Sequence, residues 1–261
     1  DMDGALLNDR KELPGDFFEV FDELERRGIK FTVASGRSFD AVAHLFPEEY
    51  RTRLDFICDN GANVIHEGKQ VSVTPLDRPT FEQLIRACED IGGLRVLVCA
   101  GRGTYHLTAD AEFSAEIAKY YKNHIPCDDL LSVDDVIYKL AVCDMKGTQQ
   151  HAKPAIDAIF GDRLNVQVSG PIWMDVMGAG VSKGSALRAL GKHLGVSAED
   201  TMAFGDFYND ADMLKYAGWS FAMENGNPDI KRMTRFLARS NNENGVLRAI
   251  RQYALQEDSI K

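Results

Sequence analysis

The sequence is short of the features that would place it at a membrane, on nucleic acid or outside the cell. Its 261 residues contain no uninterrupted apolar run long enough to span a bilayer. Nor is there a Lys/Arg cluster of the kind that forms a nucleic-acid surface, and the formal net charge is −10. An anionic ligand would therefore be held locally, by a metal or a few fixed donors. Cysteine is scarce and unpaired. Cys58, Cys88, Cys99, Cys127 and Cys143 are odd in number and no two are spaced C-x-x-C. This pattern offers neither a zinc-ligand motif nor a disulfide framework and points to a reducing cytoplasm. The first residues show no basic or apolar region of a secretory signal, and there are no internal repeats or low-complexity tracts.

What is present is an ordinary globular composition, 44% hydrophobic and 27% charged, in a chain long enough for one large domain or two smaller ones. Hydrophobic periodicity switches repeatedly between helical and extended. "DFFEVFDELERRG" carries a helical stripe (Phe17, Phe18, Phe21, Leu24) that stops at Gly28. "IKFTVASG" reads as a strand, and a helix follows with Ser38 as its N-cap. "FICDNGANVIHEGKQVSV" reads as a strand, a turn and a hairpin. Beyond Pro75 and Pro79 the pattern predicts helix 80–91, strands 94–99 and 103–107, helix 111–124, strand 136–143, helix 148–160 and strand 164–169. That stretch of about a hundred residues is domain-sized. "WMDVMGAGVSKGSALRALGKHLGV" and "TMAFGDFYNDADMLKYAG" then each give strand, turn and helix. The expected fold is α/β: a doubly wound, mainly parallel Rossmann-like core sheet (1–76 and 178–261) interrupted by an inserted α/β domain (77–177).

Four turns at the C-terminal ends of core strands could carry chemistry, since ligands of open α/β sheets bind there. Asp1 and Asp3 in "DMDG" suit a nucleophilic carboxylate beside an acid that handles protons, though taken alone they are equally a solvated acidic turn. In "VASGRS", Ser35 and Gly36 could hold a phosphate oxygen or simply connect strand to helix. Lys183 of "GVSKGSAL" opens a helix against its dipole, which calls for an anionic partner if it is not a surface lysine. In "GDFYNDADML", Asp206, Asn209, Asp210 and Asp212 crowd one turn, and hard oxygen ligands there suit Mg²⁺.

In combination and order, these motifs resemble the haloacid dehalogenase superfamily of phosphatases. "DMDG-LL", "SKG" and "GD-xx-ND" are most similar to its Cof-like branch, whose cap domain lies between the second and third motifs, as the insert does here. The resemblance implies Asp1 as the nucleophile that forms an aspartyl-phosphate, and Asp3 as acid and base. The backbone N–H of Met2 together with Ser35, Gly36 and Asn209 would hold phosphate oxygens, while Lys183 would neutralise charge. Mg²⁺ would be held by Asp1, the Asp3 carbonyl and Asp206, with Asp210 as ligand or support. Asn60, in "DNGA", is a further candidate substrate contact or a plain turn. Two departures stand out. The family usually has Thr where this chain has Ala5, and its nucleophile follows a buried strand, so residues ahead of Asp1 are expected. The implied activity is a Mg²⁺-dependent phosphatase for a small phosphorylated metabolite, such as a sugar phosphate, acting as a cytoplasmic monomer or small homo-oligomer without membrane or nucleic-acid partners. Two alternatives stay open. One is a phosphomutase of the phosphomannomutase-like type, for which Arg78, Arg86, Arg95 and Arg102 are candidate cap cations. The other is a non-catalytic ligand-sensing relative. Tyr105, Tyr120, Tyr121 and Trp173 are candidate lining residues for the cap.

Overall fold

The computed structural model describes residues 1–108, 113, 117, 121 and 123–256. Strands β1 (Thr32–Ala34), β2 (Asp55–Cys58), β3 (Asn63–His66) and β4 (Lys69–Val73) form one sheet in that order. β1 runs parallel to β2, with Val33 opposite Phe56, and the remaining pairs are antiparallel. Six strands form a second, mostly antiparallel sheet of order β7-β6-β5-β8-β10-β9. They are β5 (Leu94–Ala100), β6 (Gly103–Leu107), β7 (His124–Cys127), β8 (Ile137–Asp144), β9 (Leu164–Val168) and β10 (Trp173–Gly178). The third sheet is fully parallel: β11 (Met202–Gly205), β12 (Trp219–Met223) and β13 (Phe236–Ala238). β1 and β11 both line an apolar cavity of about 530 Å³. The result is the expected mixed α/β architecture, with parallel strands in the core and an inserted sheet.

Apolar side chains settle into separate cores because each sheet must bury its own face. One core gathers Met2, Leu7, Phe17, Phe56, Phe221 and Leu247 from the two ends of the chain. Another, around Phe81, Leu84, Leu140, Ile156 and Met174, belongs to the inserted sheet and its helices. A small cluster of Ala62, Tyr138, Met177 and Val181 joins them. The helix Phe17–Arg26 buries Phe17, Val20, Phe21 and Leu24, spaced for one helical face. The helix Arg78–Ile91 starts two residues earlier than the pattern suggests, because Asp77 caps it by accepting from the Thr80 N–H at 3.0 Å and Pro79 fits its first turn.

Other expectations need correction. Ser38 sits at the N-cap of Phe39–Ala43, but its hydroxyl makes no capping bond. The helix expected over 148–160 begins at Ala152, because Asp144 accepts from the Ala152 N–H (3.1 Å) and Thr148 lies in the preceding turn. The helix expected over 111–124 falls mostly outside the described residues. Its last residue, His124, instead opens β7, which pairs parallel with β6 through Thr104 opposite His124.

The helix Lys183–Leu194 carries a capping box. Ser182 Oγ accepts from the Ser185 N–H (2.9 Å) and Ser185 Oγ from the Ser182 N–H (3.0 Å). Its start is pressed against the turn after β2, where Gly61 has φ +105° and a Cβ would lie 2.2 Å from the Ser182 carbonyl oxygen. No side chain fits there without moving one of the two loops. Gly61→Ala should therefore destabilise the fold by about 2 kcal/mol or more, measured by urea denaturation; an unchanged midpoint would show that the contact is slack.

Candidate active site

Residues 1–7 form a tight loop, closed by the Leu7 N–H donating to the Met2 carbonyl at 2.8 Å. Two asparagine side chains clamp it: Asn225 Nδ2 donates to the Gly4 carbonyl (2.8 Å) and Asn241 Nδ2 to the Leu7 carbonyl (3.0 Å). Ala5 is buried in this loop; the two amides supply side-chain hydrogen bonds where that residue has no hydroxyl. The Asp1 nitrogen donates to the Phe204 carbonyl (2.8 Å), which places Asp1 beside the end of β11. Gly4 has φ +80°, and a Cβ on it would lie 2.3 Å from Asp206 Oδ2. Glycine thus lets the Asp206 carboxylate close on the loop.

Lys183 supplies the partner for these acids. Its ammonium is fully buried and donates to Asp1 Oδ1 (2.6 Å) and Asp210 Oδ1 (2.7 Å). Burial works to raise the Asp210 carboxyl, but Lys183 holds it below the ordinary carboxylate range. Asp210 Oδ2 also accepts from the Asp206 N–H at 3.0 Å, tightening the turn after β11. Asp206 goes the other way: burial, then the neighbouring Asp210, push its carboxyl up to about 6. Oxygens of Asp1, Asp206 and Asp210 lie within 4.8 Å of one another. Three close carboxylates, one of them driven toward its neutral form, make a site short of positive charge, and hard oxygens at this spacing fit a divalent cation. Asp212 stands apart, accepting from Ser182 Oγ at 2.6 Å.

Asp3 has different company. Arg37 grips it with two bonds, Nε to Oδ2 (2.8 Å) and a terminal nitrogen to Oδ1 (2.5 Å), and Lys11 Nζ reaches Oδ1 at 2.8 Å. Against the effect of burial, Arg37 and Lys11 hold the Asp3 carboxyl below the ordinary range. Ser35 is buried after β1, and its Oγ accepts from the Arg37 N–H at 3.1 Å. Asp1, Asp3, Ser35, Gly36, Asp206 and Asn209 all line one cavity of about 630 Å³. Tyr121 and Trp173 line it as well, while the Tyr105 hydroxyl donates to Asp135 and Tyr120 lies outside the described residues. Of the candidate cap cations, Arg78 donates to the Val133 carbonyl and Glu82 and Arg102 to Asp135.

Asn60 is fully buried and bonded within the protein on both sides. Its Nδ2 donates to Asp175 Oδ2 (2.8 Å) and its Oδ1 accepts from Asn209 Nδ2 (3.3 Å). Asp175 also binds Lys139 Nζ at 2.6 Å, and both residues border the cavity from the inserted sheet. Arg37, Lys11, Lys139 and Asp175 are site residues that motif reading does not find. The available cue is a lysine and an aspartate embedded in the apolar runs "IYKLAVC" and "WMDVM".

A cavity between a core sheet and an insert, floored by carboxylates around a buried lysine at strand ends, defines an enzyme of the phosphoryl-transfer kind. Residues 1–250 match the haloacid dehalogenase-like hydrolase family. The chain is 29% identical over 252 residues to 5-amino-6-(5-phospho-D-ribitylamino)uracil phosphatase YbjI of Escherichia coli (strain K12), covering 96% of this chain and 93% of that one. It is 27% identical over 232 residues to the HMP-PP phosphatase of Klebsiella pneumoniae (strain 342), covering 88% and 85%. The structure of SMU.1108c from Streptococcus mutans UA159 superposes with a TM-score of 0.89 at 26% identity, covering 97% of both chains. This chain belongs to the haloacid dehalogenase-like hydrolases, and the two relatives named above are phosphatases. Among the described residues no helix is long and apolar enough to cross a membrane.

Beside the site, Asp59 is fully buried with neither carboxyl oxygen hydrogen-bonded, and burial raises it to about 7 although Lys139 opposes the shift. The folded state keeps a proton that the unfolded chain releases near pH 4. Stability is therefore present in acid and lost as pH rises through about 7. Asn tolerates the left-handed φ of 51° found here. Asp59→Asn should accordingly gain stability over the parent by about 2–3 kcal/mol between pH 5 and pH 8, read from denaturation midpoints at each pH; a pH-independent difference would mean Asp59 ionises freely.

Proposed function

We propose that the protein is a Mg²⁺-dependent phosphatase that hydrolyses a small phosphorylated metabolite through an aspartyl-phosphate on Asp1. The observation that carries this reading is the Lys183 ammonium fixed between Asp1 and Asp210, with Asp206 alongside. Lys183 orients the Asp1 carboxylate for attack on phosphorus and offsets negative charge there. Asp1, Asp206 and the Asp3 carbonyl, supported by Asp210, would hold Mg²⁺, which when bound offsets the carboxylate repulsion and the charge on the phosphate. Ser35, Gly36, Asn209 and the Met2 N–H take the phosphoryl oxygens.

Asp3, once it has taken up a proton from solvent, passes that proton to the leaving alcohol and then takes one from the water that hydrolyses the acyl phosphate. To be protonated it must give up the Arg37 and Lys11 contacts that hold it ionised. We take residues 77–177 as a cap that excludes water and selects the leaving group. Its separate apolar core and the Tyr121 and Trp173 walls support that division. The two named relatives act on 5-amino-6-(5-phospho-D-ribitylamino)uracil and on HMP-PP, which favours small phosphorylated metabolites for this chain too. Five free cysteines are in keeping with a reducing cytoplasm.

Phosphate release from a panel of sugar phosphates, nucleotides and pyridoxal phosphate is expected to require Mg²⁺. Asp1→Asn is expected to lower turnover on the order of a thousandfold or more. Silence across the panel, or an Asp1→Asn variant that turns over like the parent, would remove the proposal; isomerised phosphate with none released would indicate a mutase.

A further inference from the structure

We propose that Lys139, Asp175 and Asn60 form a positioning relay through which the inserted sheet sets the geometry of the phosphate-holding groups. The inference rests on the phosphatase reading for the meaning of those groups, but not for the relay itself. Lys139 and Asp175 lie on β8 and β10, neighbouring strands of the inserted sheet. Their ion pair is buried, with side chains 2% and 7% exposed. From it two arms reach into the core.

On the first arm, Lys139 Nζ donates to the Gly36 carbonyl at 2.8 Å. The same peptide unit carries the Arg37 N–H, which donates to Ser35 Oγ at 3.1 Å. A peptide is planar, so holding its carbonyl also fixes the direction of its N–H. Lys139 thereby sets where the Ser35 hydroxyl can point and where the Arg37 side chain starts. On the second arm, Asp175 Oδ2 accepts from Asn60 Nδ2. That choice of donor turns Asn60 Oδ1 toward Asn209 Nδ2 at 3.3 Å.

The arms converge. A Cβ on Gly36 would lie 3.0 Å from Asn60 Oδ1, and the Asn60 N–H donates to the Ser35 carbonyl at 3.1 Å. Asn60 also holds the left-handed conformation (φ 54°, ψ 27°) immediately after the left-handed Asp59. Consecutive left-handed non-glycine residues persist where surrounding contacts impose them.

Stability alone is a weak reason for this arrangement. The neighbouring contact between the two cores is apolar (Ala62, Tyr138, Met177, Val181), and a buried ion pair gains little over apolar side chains of similar size. What an apolar pair could not do is grip a carbonyl on one side and an amide on the other.

The decisive variant is the double replacement K139M/D175L. It removes both charges together, so neither is left buried and unpaired and the fold is retained. Hydrogen exchange of the peptide covering Ser35–Arg37 should speed up about tenfold in the folded variant, and inhibition by inorganic phosphate should weaken by a similar factor. kcat for p-nitrophenyl phosphate, whose aryl group has no use for selective cap contacts, should fall about tenfold or more. The single variant Asp175→Asn, which keeps side-chain size, should shift exchange at Ser35–Arg37 in the same direction. Parental exchange and parental phosphate inhibition in a cooperatively folded double variant would overturn the relay. So would losses confined to bulkier substrates, since Lys139 and Asp175 would then be leaving-group contacts. Should the parent protein release no phosphate from any substrate, the phosphatase reading fails, and hydrogen exchange still decides the relay.

Discussion

Lys183 carries its charge into the interior between two carboxylates, Asp1 and Asp210, drawn from distant parts of the chain. Desolvating an ammonium is costly, and the two acids facing it at hydrogen-bond distance offset that cost. Removing one member of such a set leaves the others buried and uncompensated, at a cost on the order of 3–5 kcal/mol. Much of the surrounding structure serves to bring these groups together. The Ser182–Ser185 capping box fixes the helix start. Gly61 lets the turn after β2 press against that start, and Gly4 admits the Asp206 carboxylate to the loop of residues 1–7. The placement opposes the helix dipole, and two anions outweigh that small penalty.

The charges around this point divide into two sets with opposite tendencies. Asp1, Asp206 and Asp210 share a single lysine, and Asp206 responds by drifting toward its neutral form. Asp3, two residues after Asp1, is held ionised by Arg37 and Lys11. Neighbouring carboxylates of one cavity are thus driven in opposite directions, Asp206 upward by burial and by Asp210, Asp3 downward by the cations it can reach. The buried Lys139–Asp175 pair of the inserted sheet touches the turns after β1 and β2, through Gly36 and Asn60.

Much of this was legible in the sequence, for identifiable reasons. The helix Phe17–Arg26 announces itself because its apolar spacing obeys the helical period. Lys183 stands out because a lysine at a helix start opposes the dipole, and Asp1, Asp206 and Asp210 gain meaning from their order along the chain at predicted strand ends. His124–Cys127 was not legible. "HIPC" contains a proline and no alternation, and it is a strand because Thr104–Leu107 lies beside it. Arg37 gave no signal, since one arginine after a glycine turn is unremarkable until Asp3 arrives from the other side of the loop. Asn60 was legible as a turn residue but not as a bridge, because both of its partners, Asp175 and Asn209, are over a hundred residues away.

The central claim is that the buried Lys183 holds Asp1 as the group that takes up phosphate. Acid quenching during turnover, followed by borohydride reduction and peptide mass spectrometry, tests it directly. An acyl phosphate on Asp1 predicts homoserine at that position, formed in the presence of substrate and absent without it. Steady turnover with Asp1 unmodified, or with the label on Asp3 or Ser35, would contradict the account.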